Sequence, residues 1–268
     1  MRSENLKPEL QDEMPTSYEP ATCGVHGEYQ CKVIHLFGKA IRQGCAECNR
    51  IANDKREAED LERKTVMERY EMSVKLGSAL IPKRFQGKTF GTYEVERPEQ
   101  QAALDKCRDY AENFQAHKRA GRCMLLLGKP GTGKTHLSIA IANHVMTNSR
   151  DTAVYRTLGG VLHDIRESYD GGNQTNESWI LKGLTTPGLL VLDEIGASKE
   201  KTSDFELTTL FAIINGRYER ELPTVIVSNL GPKELAAAIG ERSADRLREG
   251  GVIVLPFTWE SQRGKEGF

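Results

Sequence analysis

Between positions 123 and 256, short continuous apolar runs alternate with segments whose apolar residues recur every three or four positions. The runs are Cys123–Leu127, Leu189–Leu192, Thr224–Val227 and Val252–Pro256, while Leu137, Ile141 and Val145 return every four residues. Leu104, Cys107, Ala111 and Phe114 keep helical spacing too, up to a stop at Gly121. Buried strands separated by amphipathic helices predict an α/β domain built on a parallel sheet with helices on its faces. From Asn49 to Gly77 the pattern changes: 29 residues carry seven basic and seven acidic side chains, with no Gly or Pro before Gly77. That composition predicts a helix. Ile51, Ala58 and Leu61 share one side of it, whereas Met67, Tyr70 and Val74 fall roughly opposite, so no continuous coiled-coil seam forms. A solvated spacer and a partner-binding helix both fit this stretch. The expected organisation is a flexible start over 1–20, a small cysteine-bearing module over 21–50, a charged helical linker over 51–80 and the α/β domain over 81–268.

With 268 residues, 38% of them hydrophobic and 28% charged, the chain can bury one sizeable core plus an appendage, which excludes collagen-like and disordered classes. No apolar run reaches the length that spans a bilayer, and Met1 to Tyr18 lacks the apolar block of a signal peptide, so a cytoplasmic protein with no membrane partner is expected. The formal net charge of −1 gives no long-range attraction to nucleic acid, so any phosphate-backbone contact has to come from a local basic patch.

Four of the six cysteines lie between positions 23 and 48. Cys23 and His26 form one C-x-x-[CH] knuckle and Cys45 and Cys48 another, separated by residues 27–44. Each two-residue gap lets both ends of a tight turn face one ion, and the segment between can form a hairpin. The expectation is a zinc-ribbon-like structural site of three thiolates and one imidazole, against the alternative of small buried cysteines. Cys31, without a partner at knuckle spacing, reads as a spare thiol.

The apolar strand 123–127 runs directly into Gly128-Lys129-Pro130-Gly131-Thr132-Gly133-Lys134-Thr135, and His136 opens the helix beyond. Strand, glycine loop and helix together make a phosphate-binding loop: the glycines let successive N–H groups turn inward, and the helix start adds its positive dipole end. Lys134 is expected on the β- and γ-phosphates, and Thr135 on Mg²⁺. The run Leu189–Leu192 ends in Asp193 and Glu194. As a parallel strand beside the first, it would bring Asp193 to the magnesium and Glu194 to an attacking water, which makes the chain a hydrolase and argues against a non-catalytic adaptor. The third strand ends in Ser228-Asn229. Asn229 either bonds the γ-phosphate and the water or caps the helix that begins near Pro232. Arg242 and Arg246 share one helix face, where they are either functional or simply solvated.

The loop 128–135, the strand end Asp193-Glu194, Ser228-Asn229-Leu230 and above all Ile239-Gly240-Glu241-Arg242-Ser243-Ala244-Asp245-Arg246-Leu247 resemble the AAA+ ATPases of the DnaC type, bacterial and phage helicase loaders. Pro82 to Phe90 resembles the entry segment of that family, and the knuckles resemble those that precede some loaders. The resemblance covers roughly residues 80–262. It implies an AAA+ P-loop fold with a five-stranded parallel sheet and no separate C-terminal lid, with residues 82–90, Phe85 among them, lining the base. It also implies Asn229 as first sensor, Arg246 as second sensor, and Arg242 as a finger acting on a neighbouring subunit's ATP. Tyr169 falls where the family has an aromatic residue near the single-stranded DNA channel, and it could equally be buried. The implied activity is ATP-dependent loading of a hexameric replicative helicase onto single-stranded DNA by a homo-oligomer, hexameric and spiral when ATP-bound, with ATP, Mg²⁺ and Zn²⁺ as cofactors. The runner-up is a transposition helper ATPase of the IstB type that acts on target DNA.

Overall fold

A computed structural model of the chain describes residues 16–36, 38–169, 176–196 and 202–262. These residues fall into two units, one up to Arg69 and the other from Tyr70.

The first unit begins with the strands β1 (Thr16–Cys23), β2 (Gly27–Leu36) and β3 (Lys39–Arg42), an antiparallel sheet in the order β1-β2-β3. Residues 16–20, expected to be flexible, pair with 30–34 of β2, because alternation in Thr16–Cys23 supports a strand that starts before the first knuckle. The remainder of that expected flexible start, 1–15, lies outside the described residues. Val33 and Cys31 supply the little buried apolar surface this sheet has. A sheet with so few buried side chains needs a further cross-link to hold its shape. The helix α1 (Ala46–Ser78) follows, 33 residues long with no buried residue, as its scattered apolar positions require.

In the second unit, α2 (Pro98–Glu112) and α3 (Phe114–Arg119) lead into β4 (Cys123–Gly128), α4 (Lys134–Asn148), β5 (Ala153–Thr157), α5 (Leu158–Tyr169), α6 (Glu177–Thr185) and β6 (Leu189–Ile195). The chain continues through α7 (Asp204–Tyr218), β7 (Thr224–Ser228), α8 (Pro232–Ile239), α9 (Glu241–Glu249) and β8 (Val252–Phe257). The five strands form an all-parallel sheet in the order β5-β6-β7-β4-β8. Side chains alternate between its faces. Met124 and Leu126 of β4 pack with α2 and α4 on one side, and Cys123, Leu125 and Leu127 pack with the core of α5 to α9 on the other. Both faces are covered, so the strands are almost wholly apolar.

The order corrects one expectation. The strand that ends in Asp193 is not beside β4, because β7 lies between them. All strand ends still meet at one edge, since every strand points the same way. Among the described residues no helix is long and apolar enough to cross a membrane.

Candidate nucleotide site and metal centre

β4 delivers the chain to Gly128, whose φ of 144° and closeness to β8 admit no side chain: a Cβ would sit 2.1 Å from the Phe257 carbonyl oxygen. Gly133, at φ 90°, is equally constrained, since its Cβ would lie 2.6 Å from the Tyr93 ring. The loop then enters α4 at Lys134, with the orphan N–H groups of the helix start facing the cleft. The Lys134 ammonium donates to the carbonyl oxygens of Gly128 (2.6 Å) and Lys129 (2.7 Å), so it is folded into the loop where a phosphate can take over its donors. Thr132 donates to the Lys129 carbonyl at 2.9 Å and fastens the loop across its base.

At the end of β6, Asp193 is buried and accepts three hydrogen bonds. Thr135 Oγ1 donates to Oδ2 at 2.8 Å, the Tyr155 hydroxyl donates to the same oxygen at 2.9 Å, and the Glu194 backbone N–H donates to Oδ1 at 2.7 Å. Burial, with the Asp193 charge beside it, pushes the Tyr155 phenol well above its ordinary range, so it stays a donor. A hydroxyl and a carboxylate 2.8 Å apart beside the phosphate loop are the donor set a magnesium ion takes. Glu194 is different. It is exposed, its φ is +62°, and the β6–β7 ladder shifts register between Leu192 and Ile195. A non-glycine residue in the left-handed region costs about 1–3 kcal/mol, and the irregularity turns the carboxylate out of the sheet into the cleft.

β7 ends between these groups. Ser228 is buried and donates to the Ile195 carbonyl at 2.6 Å, which leaves Asn229 at the cleft wall. The cap of α8 is Gly231, whose N–H is bonded by Glu234 at 2.8 Å, so the capping alternative for Asn229 does not hold.

The segment before α2 closes the cleft from above. His136 bonds the Thr89 carbonyl at 2.9 Å, and Asn143 donates to the Lys88 carbonyl at 2.9 Å, so α4 holds residues 83–92 in place. Burial lowers the His136 pKa. Phe85 meets Tyr155 edge to face at 6.5 Å. One cleft of about 310 Å³ thus gathers Phe85, Lys134, Thr135, His136, Asp193, Glu194 and Asn229 around Pro130, Gly131 and Gly133. Arg84, Lys88 and Gln262 also line it. Arg84 and Lys88 belong to the segment 82–90 expected to line the base, whereas Gln262 and the Tyr155–Asp193 bond arrive only through the fold.

The paired arginines are not in this cleft. Arg242 lies on the α8–α9 surface with Lys233, Asp245 and Arg248. Arg246 stacks 4.4 Å over the Tyr218 ring and bonds Glu249 at 3.4 Å. It lines another cavity, of about 380 Å³, with Cys123 and Thr224 at the starts of the strands. A second-sensor role on its own subunit's nucleotide therefore does not fit Arg246: α9 runs down toward the start of β8, away from the strand ends. Tyr169 is 59% exposed and donates to Glu177 at 2.6 Å, so its ring is not a core residue.

In the first unit the four expected ligands converge. The Cys23, Cys45 and Cys48 sulfurs and His26 Nδ1 lie within 4.8 Å of one another. Cys23 and Cys48 are 3.6 Å apart, and Nδ1 is 3.8, 3.6 and 3.3 Å from Cys23, Cys45 and Cys48. Zinc bonds of about 2.0 Å to nitrogen and 2.3 Å to sulfur put the ligand atoms of a three-sulfur, one-nitrogen tetrahedron roughly 3.5–3.8 Å apart, within a few tenths of an ångström of these distances, so the set fits that ion. The backbone N–H groups of Val25 and His26 draw the Cys23 thiol down to about 6. Cys31 is outside the set, buried and donating to the Gln43 carbonyl at 3.0 Å, as a spare thiol should be.

Comparison with known proteins agrees with this geometry. Residues 86–246 match the family described as "IstB-like ATP binding protein". The replicative helicase loader DnaC of Buchnera aphidicola subsp. Baizongia pistaciae is 31% identical over 190 residues, which cover 71% of this chain and 75% of that protein. DnaC of Escherichia coli K12 is 32% identical over 177 residues, 66% of this chain and 69% of that one. Among solved structures, the DnaC helicase loader superposes with a TM-score of 0.56 at 24% identity, over 65% of this chain and 99% of that one. DnaI superposes at 0.54 and 18%, over 69% and 95%. Sheet order, phosphate loop and relatives agree: the chain belongs to the IstB-like ATP-binding proteins and carries the AAA+ P-loop fold of DnaC and DnaI.

Proposed function

We propose that this chain is an ATP-hydrolysing loader that places a hexameric replicative helicase on single-stranded DNA. The observation that carries the reading is the meeting, in one cleft, of Lys134, Thr135 with Asp193, an outward-turned Glu194 and Asn229. Lys134 leaves the Gly128 and Lys129 carbonyls for the β- and γ-phosphates. Thr135 and Asp193 hold Mg²⁺, which neutralises charge on the phosphates when bound. Glu194 accepts a proton from the attacking water, and Asn229 orients that water against the γ-phosphate. Phe85 and its flanking residues close over the base.

The cleft holds no arginine on the γ-phosphate side from α9, and Arg242 stands exposed on a different face. In this reading Arg242 reaches the ATP of an adjoining subunit, so subunits assemble head to tail, as a hexameric spiral when ATP is bound. Arg246, held by Tyr218 and Glu249, braces that helix. The Cys23, His26, Cys45 and Cys48 site takes zinc as a structural cross-link for a sheet that buries little. With α1 it forms the helicase-docking arm, and Tyr169 offers a ring on which a DNA base can stack.

The relatives named as helicase loaders favour loading over the transposition reading. The test is ATP turnover and helicase capture by the full chain, with and without single-stranded DNA. Stimulated turnover and an ATP-dependent complex are expected. Turnover that responds to duplex DNA alone, with no helicase complex, would favour the transposition helper.

A further inference from the structure

The residues after β8 return to the phosphate loop. The Gln262 backbone N–H donates to the Gly131 carbonyl at 2.9 Å, and the Trp259 indole Nε1–H donates to the Thr132 carbonyl at 3.0 Å. The Tyr93 hydroxyl reaches that same Thr132 oxygen at 3.5 Å. Trp259 is buried, tilted against Phe257 at 4.8 Å, and Phe257 is the residue whose carbonyl presses on Gly128. An ion pair between Lys129 and Glu260 at 3.5 Å joins two exposed side chains and contributes little.

The consequence follows from peptide geometry. In a trans peptide the C=O and the N–H project to opposite sides of the chain. The Gly131 carbonyl shares its peptide with the Thr132 N–H, and the Thr132 carbonyl shares its own with the Gly133 N–H. Gly131 and Gly133 have φ values of 77° and 90°, the backbone freedom that would let these peptides flip. We propose that Trp259 and Gln262 are positioning residues for the phosphates: they hold two successive loop carbonyls outward so that the Thr132 and Gly133 N–H groups face the anion. The loop is then ordered before the nucleotide arrives, and less freedom is lost on binding. This inference rests on the nucleotide reading of the cleft.

The test uses the full chain, with fluorescently labelled ADP as probe and unlabelled ADP and adenosine as competitors. Gln262→Pro removes the backbone donor together with the side chain, Gln262→Ala removes the side chain alone, and Trp259→Phe removes the indole donor while keeping a ring. Gln262→Pro is expected to weaken ADP about tenfold relative to Gln262→Ala, and Trp259→Phe about tenfold relative to wild type. Adenosine, which has no phosphate, should compete equally well in all four proteins. Wild-type ADP affinity in Gln262→Pro would overturn the proposal, as would an equal loss in Gln262→Ala or a matching loss for adenosine. Gln262 is only part-buried and lies outside the hydrophobic core, so its variants read binding even where Trp259→Phe impairs folding. A wild-type chain that bound no ADP would remove the nucleotide reading and this role with it. Normal wild-type binding with an unaffected Gln262→Pro removes this role alone.

Discussion

Arg217 offers a perturbation whose size can be worked from its surroundings. It is 1% exposed, and among the described residues no carboxylate is a hydrogen-bond partner of it. Its guanidinium donates to Thr224 Oγ1 (3.0 Å) and to the carbonyls of Leu184 (2.8 Å), Pro187 (2.9 Å), Gly188 (3.4 Å) and Pro223 (2.7 Å). It ties the end of α6 and the turn before β6 to the start of β7. Burial lowers its pKa to about 10, so it is still charged at neutral pH. In Arg217→Met four carbonyls lose a donor at about 1 kcal/mol each, offset in part by no longer burying an unpaired cation, for a net loss of about 2–4 kcal/mol. Arg217→Lys keeps the charge but has only three donors without the planar fork, so it should be no more stable than the methionine variant. At about 2–4 °C per kcal/mol for a unit of this size, thermal unfolding should shift down by roughly 5–15 °C in both. ADP affinity should not change, because Arg217 sits at the starts of the strands. If Arg217→Lys melts within a degree or two of wild type, the five-donor account is wrong.

Other outcomes follow from the same reasoning. Cys45→Ser should lose zinc by elemental analysis and loosen the residues up to 50, with ADP affinity unchanged; lost nucleotide binding would mean the two units are not separate. Glu194→Gln should keep ATP but lower turnover by about 10²–10⁴-fold, while Glu194→Gly should also raise stability by about 1 kcal/mol as the strain at φ +62° is released. His117 is buried against Tyr110 with no partner for either ring nitrogen among the described residues, and burial lowers its pKa. The unfolded chain therefore binds that proton more readily, so stability should hold above the ordinary histidine pKa and fall as pH drops below it. Denaturant titrations between pH 7.5 and 5 should show a shallower fall in His117→Phe, and identical slopes would reject the assignment.

The site was legible in the sequence where its chemistry is local. Gly128 to Thr135 and the strand end at Asp193 and Glu194 announce themselves because backbone N–H groups and strand-end carboxylates act where they stand in the chain. The cluster of Cys23, His26, Cys45 and Cys48 was legible through its spacing. Glu194's left-handed backbone was not, since a register shift against β7 creates it. Nor was Tyr155, which meets Asp193 only because β5 and β6 are paired in register. The place of β7 between β4 and β6 has no signature in any single strand. Arg246 shows the reverse: its spacing from Arg242 left a functional and a solvated role open, and Tyr218 and Glu249, brought in by α7 and the end of α9, set its position.

The central claim is that a neighbour's Arg242 completes each ATP site. Its most direct measurement is steady-state ATP turnover of a mixture of Lys134→Ala and Arg242→Ala chains. Alone, each should be nearly inactive, because one lacks the phosphate lysine and the other the guanidinium, whose loss typically costs about 10³–10⁵-fold. Mixed in equal amounts, head-to-tail interfaces unite an intact loop with an intact arginine at roughly one junction in four, so about a quarter of wild-type turnover should return. A mixture no more active than its separate components, or full turnover by Arg242→Ala alone, would contradict the account.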